Sequence, residues 1–164
     1  MRVSLRPPCP DDAGAAGTIC YEAFRTIADR HGFPPDFPTP DDAIGLMNLM
    51  LARPSIHGMI AERDGCVVGS SFLWEDAPLA GIGPVTVDPG AQDAAIGHRL
   101  MEAGLARARQ EGVTSVRLVQ GGYHTPSPAP YAKRGFAARE PLAVMQGTAL
   151  GVSVPDRAVR IATE

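Results

Sequence analysis

The chain lacks the features that mark several large classes of protein. Its three cysteines, Cys9, Cys20 and Cys66, are an odd number with no C-x-x-C pair, which argues against a disulfide framework and a zinc ribbon. Basic charge is not in excess: 15 Lys and Arg stand against 18 Asp and Glu. The one dense basic spot, Lys133-Arg134, is too small a footprint for duplex nucleic acid. No stretch approaches the roughly 18 to 20 apolar residues needed to cross a bilayer. Residues 1–8, MRVSLRPP, lack the apolar segment of a signal peptide. The expectation is a soluble cytoplasmic protein without metal that binds neither nucleic acid nor membrane.

Glycine and proline are plentiful instead. The 18 glycines and 16 prolines make up roughly a fifth of the 164 residues, which disfavours long uninterrupted helices and a simple bundle. They show no collagen-like period and sit in a chain that is 45% hydrophobic, so a folded domain with its own core is expected. Residues 1–148 read as one domain, and 149–164 as an extension, an extra strand or the start of a linker.

Hydrophobic periodicity divides the chain. Residues 3–5 alternate as a short strand ending at Pro7-Pro8. Asp11-Asp12 offers a cap for a helix whose inner face repeats at Ala15, Ile19, Ala23 and Ile27, with Phe24 and Cys20 beside it, and which closes at His31-Gly32. Residues 32–40 hold four prolines and two phenylalanines, a loop that either packs on the core or lines a pocket. A second helix, capped by Asp41-Asp42, buries Leu46, Met47, Met50 and Leu51. Strands at 57–63 and 67–74 flank Asp64-Gly65, a strong hairpin signal. Another strand at 82–87 stops at Asp88-Pro89. Residues 96–110 form the clearest helix, with Ile96, Leu100, Met101, Gly104, Leu105 and Ala108 on one face. A buried strand at 116–119, a short helix at 127–134 closed by Gly135, and a last strand near 142–146 complete a mixed α/β pattern with no internal repeat.

Chemistry concentrates where the strand at 82–87 meets the helix at 96–110. A strand stops at proline, a loop of small residues follows, and a helix begins at once. Its first turns leave several N–H groups without intrahelical partners, and the helix dipole adds partial positive charge. Ala94, Ala95 and Gly97 let an anion approach that backbone closely, so the turn is a cradle for a pyrophosphate. It is neither a Walker A loop nor a dinucleotide fingerprint, since both glycine patterns are missing.

Two motifs in the right order narrow the reading. Val87-x-Pro89-x-x-Gln92-x-x-Ala95-x-Gly97 resembles the acyl-CoA motif of the GCN5-related N-acetyltransferase superfamily, [QR]-x-x-G-x-[GA]. Tyr131-Ala132-Lys133-Arg134-Gly135-Phe136 resembles its Y-x-K-x-G-F signature. The order of elements fits over residues 2–147, and residues 21–38 resemble the N-terminal halves of bacterial proteins carrying two such domains in tandem. The resemblance implies a mixed, mostly antiparallel sheet of six or seven strands, splayed between its fourth and fifth strands and flanked by about four helices. Acetyl-CoA would lie in the splay, its pantetheine along the backbone of Val85 and Val87 as an added strand. Its pyrophosphate would rest on N–H groups from Asp93 through Ala94, Ala95, Ile96 and Gly97 to His98, with Gln92 opening the loop.

The implied reaction is acetyl transfer from the thioester to an amine of a small molecule or peptide. An amine with a pKa near about 10 must first lose its proton. The Val87 N–H is the natural oxyanion donor. Tyr131 matches the tyrosine that family members commonly use to protonate the departing thiolate. His124, just after the strand at 116–119, and Glu75 with Asp76, at the end of the strand at 67–74, are candidates for a catalytic contact on the acceptor side; Glu22 and His31 rank below them. Direct transfer in a ternary complex is favoured, because no Cys–His–Asp order stands out. Ala95 departs from the family, whose motif has glycine there; its methyl narrows the cradle and disfavours positive φ. That departure keeps open a non-catalytic CoA-binding or regulatory module. One half of a larger two-domain protein and a homodimer also stay open.

Overall fold

The computed structural model describes residues 2–76, 78–122, 131–139 and 141–142. The elements are β1 (Val3–Arg6), α1 (Asp12–His31), α2 (Pro40–Leu51), β2 (Ile56–Arg63), β3 (Cys66–Asp76), β4 (Leu79–Val87), a 3-10 turn (Pro89–Ala94), α3 (Ile96–Gln110) and β5 (Ser115–Arg117). The five strands form one sheet in sequential order. All pairs are antiparallel except β4–β5, which is parallel and bridged by the α3 crossover. The mixed, mostly antiparallel sheet expected from the sequence is present. Among the described residues it counts five strands and three α-helices; residues 127–130 and 143–146, expected to add a helix and a strand, lie outside them.

Alternation along the strands sorts the core into two layers. Ile56, Ile60 and Phe72 meet Ala13, Ala16 and Cys20 of α1 and Ala43, Met47 and Met50 of α2. On the other face Ala61, Val68, Leu73 and Ile82 meet Ile96, Leu100, Met101 and Leu105 of α3. The α3 face is the one expected. The α1 face is rotated: Ala15 is exposed and Ile19 and Ile27 are half-buried, while Ala13, Ala16, Gly17 and Cys20 are buried. Contact with α2 is the reason. A Cβ at Gly17 would stand 2.6 Å from Ile44 Cα, so the smallest residues, not the largest, face the neighbouring helix. Cys20 is wholly buried, and burial pushes its thiol up to about 12, as a core cysteine should behave.

Local signals explain most boundaries. Asp64 and Gly65 both take positive φ, the requirement of the tight hairpin between β2 and β3. Gly32, Gly112 and Gly135 are left-handed and close their helical segments with paired reverse hydrogen bonds, such as Gly32 N–H to Asp29 O and Phe33 N–H to Ala28 O. The cap of α2 is Thr39, not the expected Asp41-Asp42. Its hydroxyl accepts from the Asp42 N–H while the Asp42 carboxylate accepts from the Thr39 N–H, a capping box with Pro40 in the first turn. Phe37 folds back edge-on against Phe24 with centroids 5.8 Å apart, so in the proline-rich loop this ring packs on the core. Residues 116–119 alternate between half-buried and exposed, so this strand is covered on one side, not buried on both.

Asp11 makes no side-chain cap of α1. Asp12 instead ties the turn before the helix: its carboxylate accepts two hydrogen bonds of 2.8 Å from the Arg6 guanidinium and one of 2.7 Å from the Cys9 N–H. Arg6 also reaches Glu62 at 2.7 Å, so one guanidinium ties β1, the start of α1 and β2 together. The Arg6 hydrogen bonds, helped by the Cys9 N–H, hold the Asp12 carboxyl down from 3.8 to about 2 against the cost of burial. A depressed carboxyl stabilises the fold above its unfolded pKa, and that contribution fades as the pH falls through the folded value. Acid unfolding should therefore steepen between about pH 4 and pH 2. Asp12→Asn should cost about 1–3 kcal/mol at pH 7 and flatten that acid limb, read by denaturant melts across pH.

Candidate functional site

β4 is built to pair on both sides but does so for only part of its length. It pairs with β3 along nearly its whole run, from Asp76↔Leu79 to Gly69↔Val87. With β5 it pairs only at Leu79, Ala80 and Gly81. The strands part beyond Gly81, where an irregularity in the β3–β4 register coincides with Gly83, at φ +142°, and Pro84. The Trp74 indole N–H donates to the Gly83 carbonyl at 2.9 Å and pins this corner. Past it, Asp88 sends its N–H back to Val68 O on β3. Backbone direction alternates along a strand, so Val85 and Val87 turn their N–H and C=O groups away from β3, to the open edge.

That edge borders a cleft of about 270 Å³. Val85 and Val87 of β4 form one wall, and Gly97, His98 and Met101 of α3 form the second. Tyr131 and Arg134 close the third. The turn leading into α3 follows from its sequence. Asp88 accepts a 2.8 Å bond from the Gly90 N–H, Pro89 stops the ladder, and Ala91 is buried under the sheet. Ala95, at φ +53° and ψ +24°, then turns the chain from the 3-10 turn into α3. A left-handed alanine carries strain of about 1 kcal/mol or more, and glycine is the residue that adopts this backbone freely. A Cβ at Gly97 would stand 3.6 Å from Val87 Cγ2, an ordinary contact. The protein itself would accept a methyl there; its absence leaves room on the cleft side.

Tyr131 is oriented by the closure of its own turn. Phe136 N–H bonds Tyr131 O at 3.2 Å and Gly135 N–H bonds Ala132 O at 3.0 Å, with Gly135 at φ +84°. This reverse closure brings the residue after the glycine onto the first residue of the turn. The Phe136 ring accordingly meets the Tyr131 ring edge-on at 6.0 Å. The tyrosine, glycine and phenylalanine of the second motif are thus one local device that presents a phenol to the cleft.

Of the residues singled out from sequence, the structure gathers Val85, Val87, Gly97, His98 and Tyr131 around one cavity. Ile96 is fully buried in the core between α3 and the sheet, so only its backbone can face a ligand. Gln92, Asp93 and Ala94 lie in the 3-10 turn that enters the site, and their side chains lie outside the described residues, as does that of Asp76. His124 lies outside them as well. Glu75 is not among the cleft residues: its carboxylate is held by Arg107 of α3 at 2.8 Å. Met101 and Arg134 were missed. Both were legible by helical spacing, Met101 four residues after Gly97 and Arg134 three after Tyr131. Among the described residues no cluster of His, Cys, Asp and Glu could hold a metal ion, and no helix is long and apolar enough to cross a membrane.

This architecture has counterparts. An N-acetyltransferase from Thermoplasma acidophilum solved with coenzyme A superposes with a TM-score of 0.74 at 17% identity, over 85% of this chain and 92% of that one. In sequence, the chain is 37% identical over 106 residues to an IAA acetyltransferase of Azospirillum brasilense, covering 62% of this chain and 69% of that protein. It is 40% identical over 87 residues to a mycothiol acetyltransferase of Sanguibacter keddieii; that match spans 48% of this chain and 27% of the much longer relative. A model of the acetyltransferase (GNAT) family matches residues 21–136, which hold β2 to β5, the cleft and both motifs. The chain belongs to the acetyltransferase (GNAT) family.

Proposed function

We propose that the protein moves an acetyl group from acetyl-CoA directly to the amine of a small-molecule acceptor, within a ternary complex. The observation that carries this reading is the cleft itself, with an open strand edge at Val85 and Val87 facing the Tyr131 ring. Pantetheine, an amide-bearing arm, suits an edge with outward N–H and C=O groups, as an added strand would. The pyrophosphate then falls at the start of α3, where the N–H groups of Ile96, Gly97 and His98 precede the first intrahelical bond, Arg99 N–H to Ala95 O at 3.1 Å.

The acceptor amine, once neutral, attacks the thioester carbonyl. The Val87 N–H stabilises the oxyanion that forms. As the C–S bond breaks, the Tyr131 hydroxyl passes its proton to the departing sulfur, the attacking nitrogen loses its extra proton to solvent, and the Tyr131 phenolate takes a proton back from solvent. The products are the acetylated amine and free CoA. Glu75 is left out of this scheme because Arg107 holds its carboxylate on the α3 side. The name mycothiol acetyltransferase, borne by one relative, supports a small-molecule acceptor over a peptide.

Thiol release from acetyl-CoA with a panel of small amines and peptides tests the reading; CoA binding without turnover on any amine would favour a non-catalytic module. Tyr131→Phe should lower kcat by about a hundredfold with the affinity for CoA little changed, and unchanged turnover across pH would remove Tyr131 from the general-acid role. Ala95→Gly should bind CoA more tightly, since it deletes a methyl from the cradle, while relief of the left-handed strain of about 1 kcal/mol should appear as added fold stability. A looser complex by calorimetry would show that the alanine is no obstacle.

A further inference from the structure

The cleft contains a charge arrangement that a backbone cradle does not need. Arg134 lines the cavity with its side chain only 11% exposed, and its Nε lies 2.9 Å from Glu102 Oε1 on α3. The same oxygen stands 3.9 Å from His98 Nδ1, and His98 is also a wall of the cavity. One carboxylate, in the second turn of α3, therefore sits between two basic side chains that line the cleft. Arg134 and Glu102 come from segments far apart in sequence, so only the tertiary fold brings the pair together. A guanidinium recognises carboxylate and phosphate by the same planar geometry.

We propose that Arg134 is a donor-specificity residue: it exchanges Glu102 for a phosphate of the acyl donor. This rests on the acetyl-CoA reading above and goes beyond it. Glu102 stands in ion-pair contact with Arg134. A diphosphate brings two negative charges and four terminal oxygens, against the one charge and two oxygens of a carboxylate, and the N-terminal turn of α3, one turn before Glu102, attracts it. The arginine then leaves Glu102 for the phosphate. The exchange favours CoA thioesters over thioesters without phosphate, and Glu102 lowers the affinity for phosphate-bearing donors by the work of separating the pair.

The test compares CoA with pantetheine, which carries the same thiol arm and no phosphate, by titration calorimetry, and acetyl-CoA with acetyl-pantetheine in turnover. Arg134→Gln should weaken CoA binding by about tenfold or more and raise the KM for acetyl-CoA equally, with kcat little changed. Pantetheine should bind Arg134→Gln and the unaltered protein alike, a comparison that a general loss of structure would not survive. Arg134→Lys should recover part of the loss, and Glu102→Gln should tighten CoA and leave pantetheine unmoved. Equal losses for CoA and pantetheine, or CoA binding that Arg134→Gln leaves unchanged, would overturn the assignment while the donor reading stands. Failure of the unaltered chain to bind CoA would overturn both.

Discussion

Beyond Gly81, the backbone of β4 has, among the described residues, a hydrogen-bonded neighbour on one side only, and the rest of the site depends on that imbalance. Main-chain N–H and C=O groups demand partners. β3 satisfies those of Thr86 and Asp88 by direction, whereas β5 has already diverged from those of Val85 and Val87. An edge created inside a sheet is a place where an extended ligand can complete the ladder. Gly83 and the Trp74 N–H make the corner that opens it. The α3 crossover, packed on the sheet by Ile96, Leu100 and Met101, stands across the opening.

The charges follow the same layout. The Arg6, Asp12 and Glu62 cluster ties three elements at the far edge of the sheet and answers to stability. Arg107 and Glu75 clamp α3 to the end of β3, which takes a carboxylate that looked available for catalysis and gives it a structural partner. Arg134 and Glu102 stand in the cleft. These three ion-paired groups look alike in sequence and differ only in what surrounds them.

Much of this was readable in the residues. Asp64-Gly65 called for a hairpin because two positive φ angles in succession suit few other pairs, and the structure has them. The face of α3 was legible because Ile96, Leu100, Met101, Leu105 and Ala108 recur at helical spacing and are all buried. The α1 face was not, because α1 packs by closeness: Gly17 and Ala16 lie inside and Ile19 lies at the margin, and hydrophobicity alone does not announce that choice. The cap of α2 was placed on the acidic pair when it belonged to Thr39, two positions earlier. Either residue type caps a helix, and only the hydrogen bonds decide.

By itself, the sequence determined the local devices: the hairpin turn, the glycine closures, the stop at Pro89, and the tyrosine, glycine and phenylalanine closure that holds Tyr131 against Phe136. Each depends on backbone preferences within a few residues, so each is written in a short stretch of chain. Tertiary structure decided which devices meet. It set Tyr131 across the cleft from Val85 and Val87, gave Glu75 to Arg107, and brought Arg134 to Glu102. Those pairings arise from the divergence of two strands and the docking of one helix, distances in space that no spacing along the chain encodes.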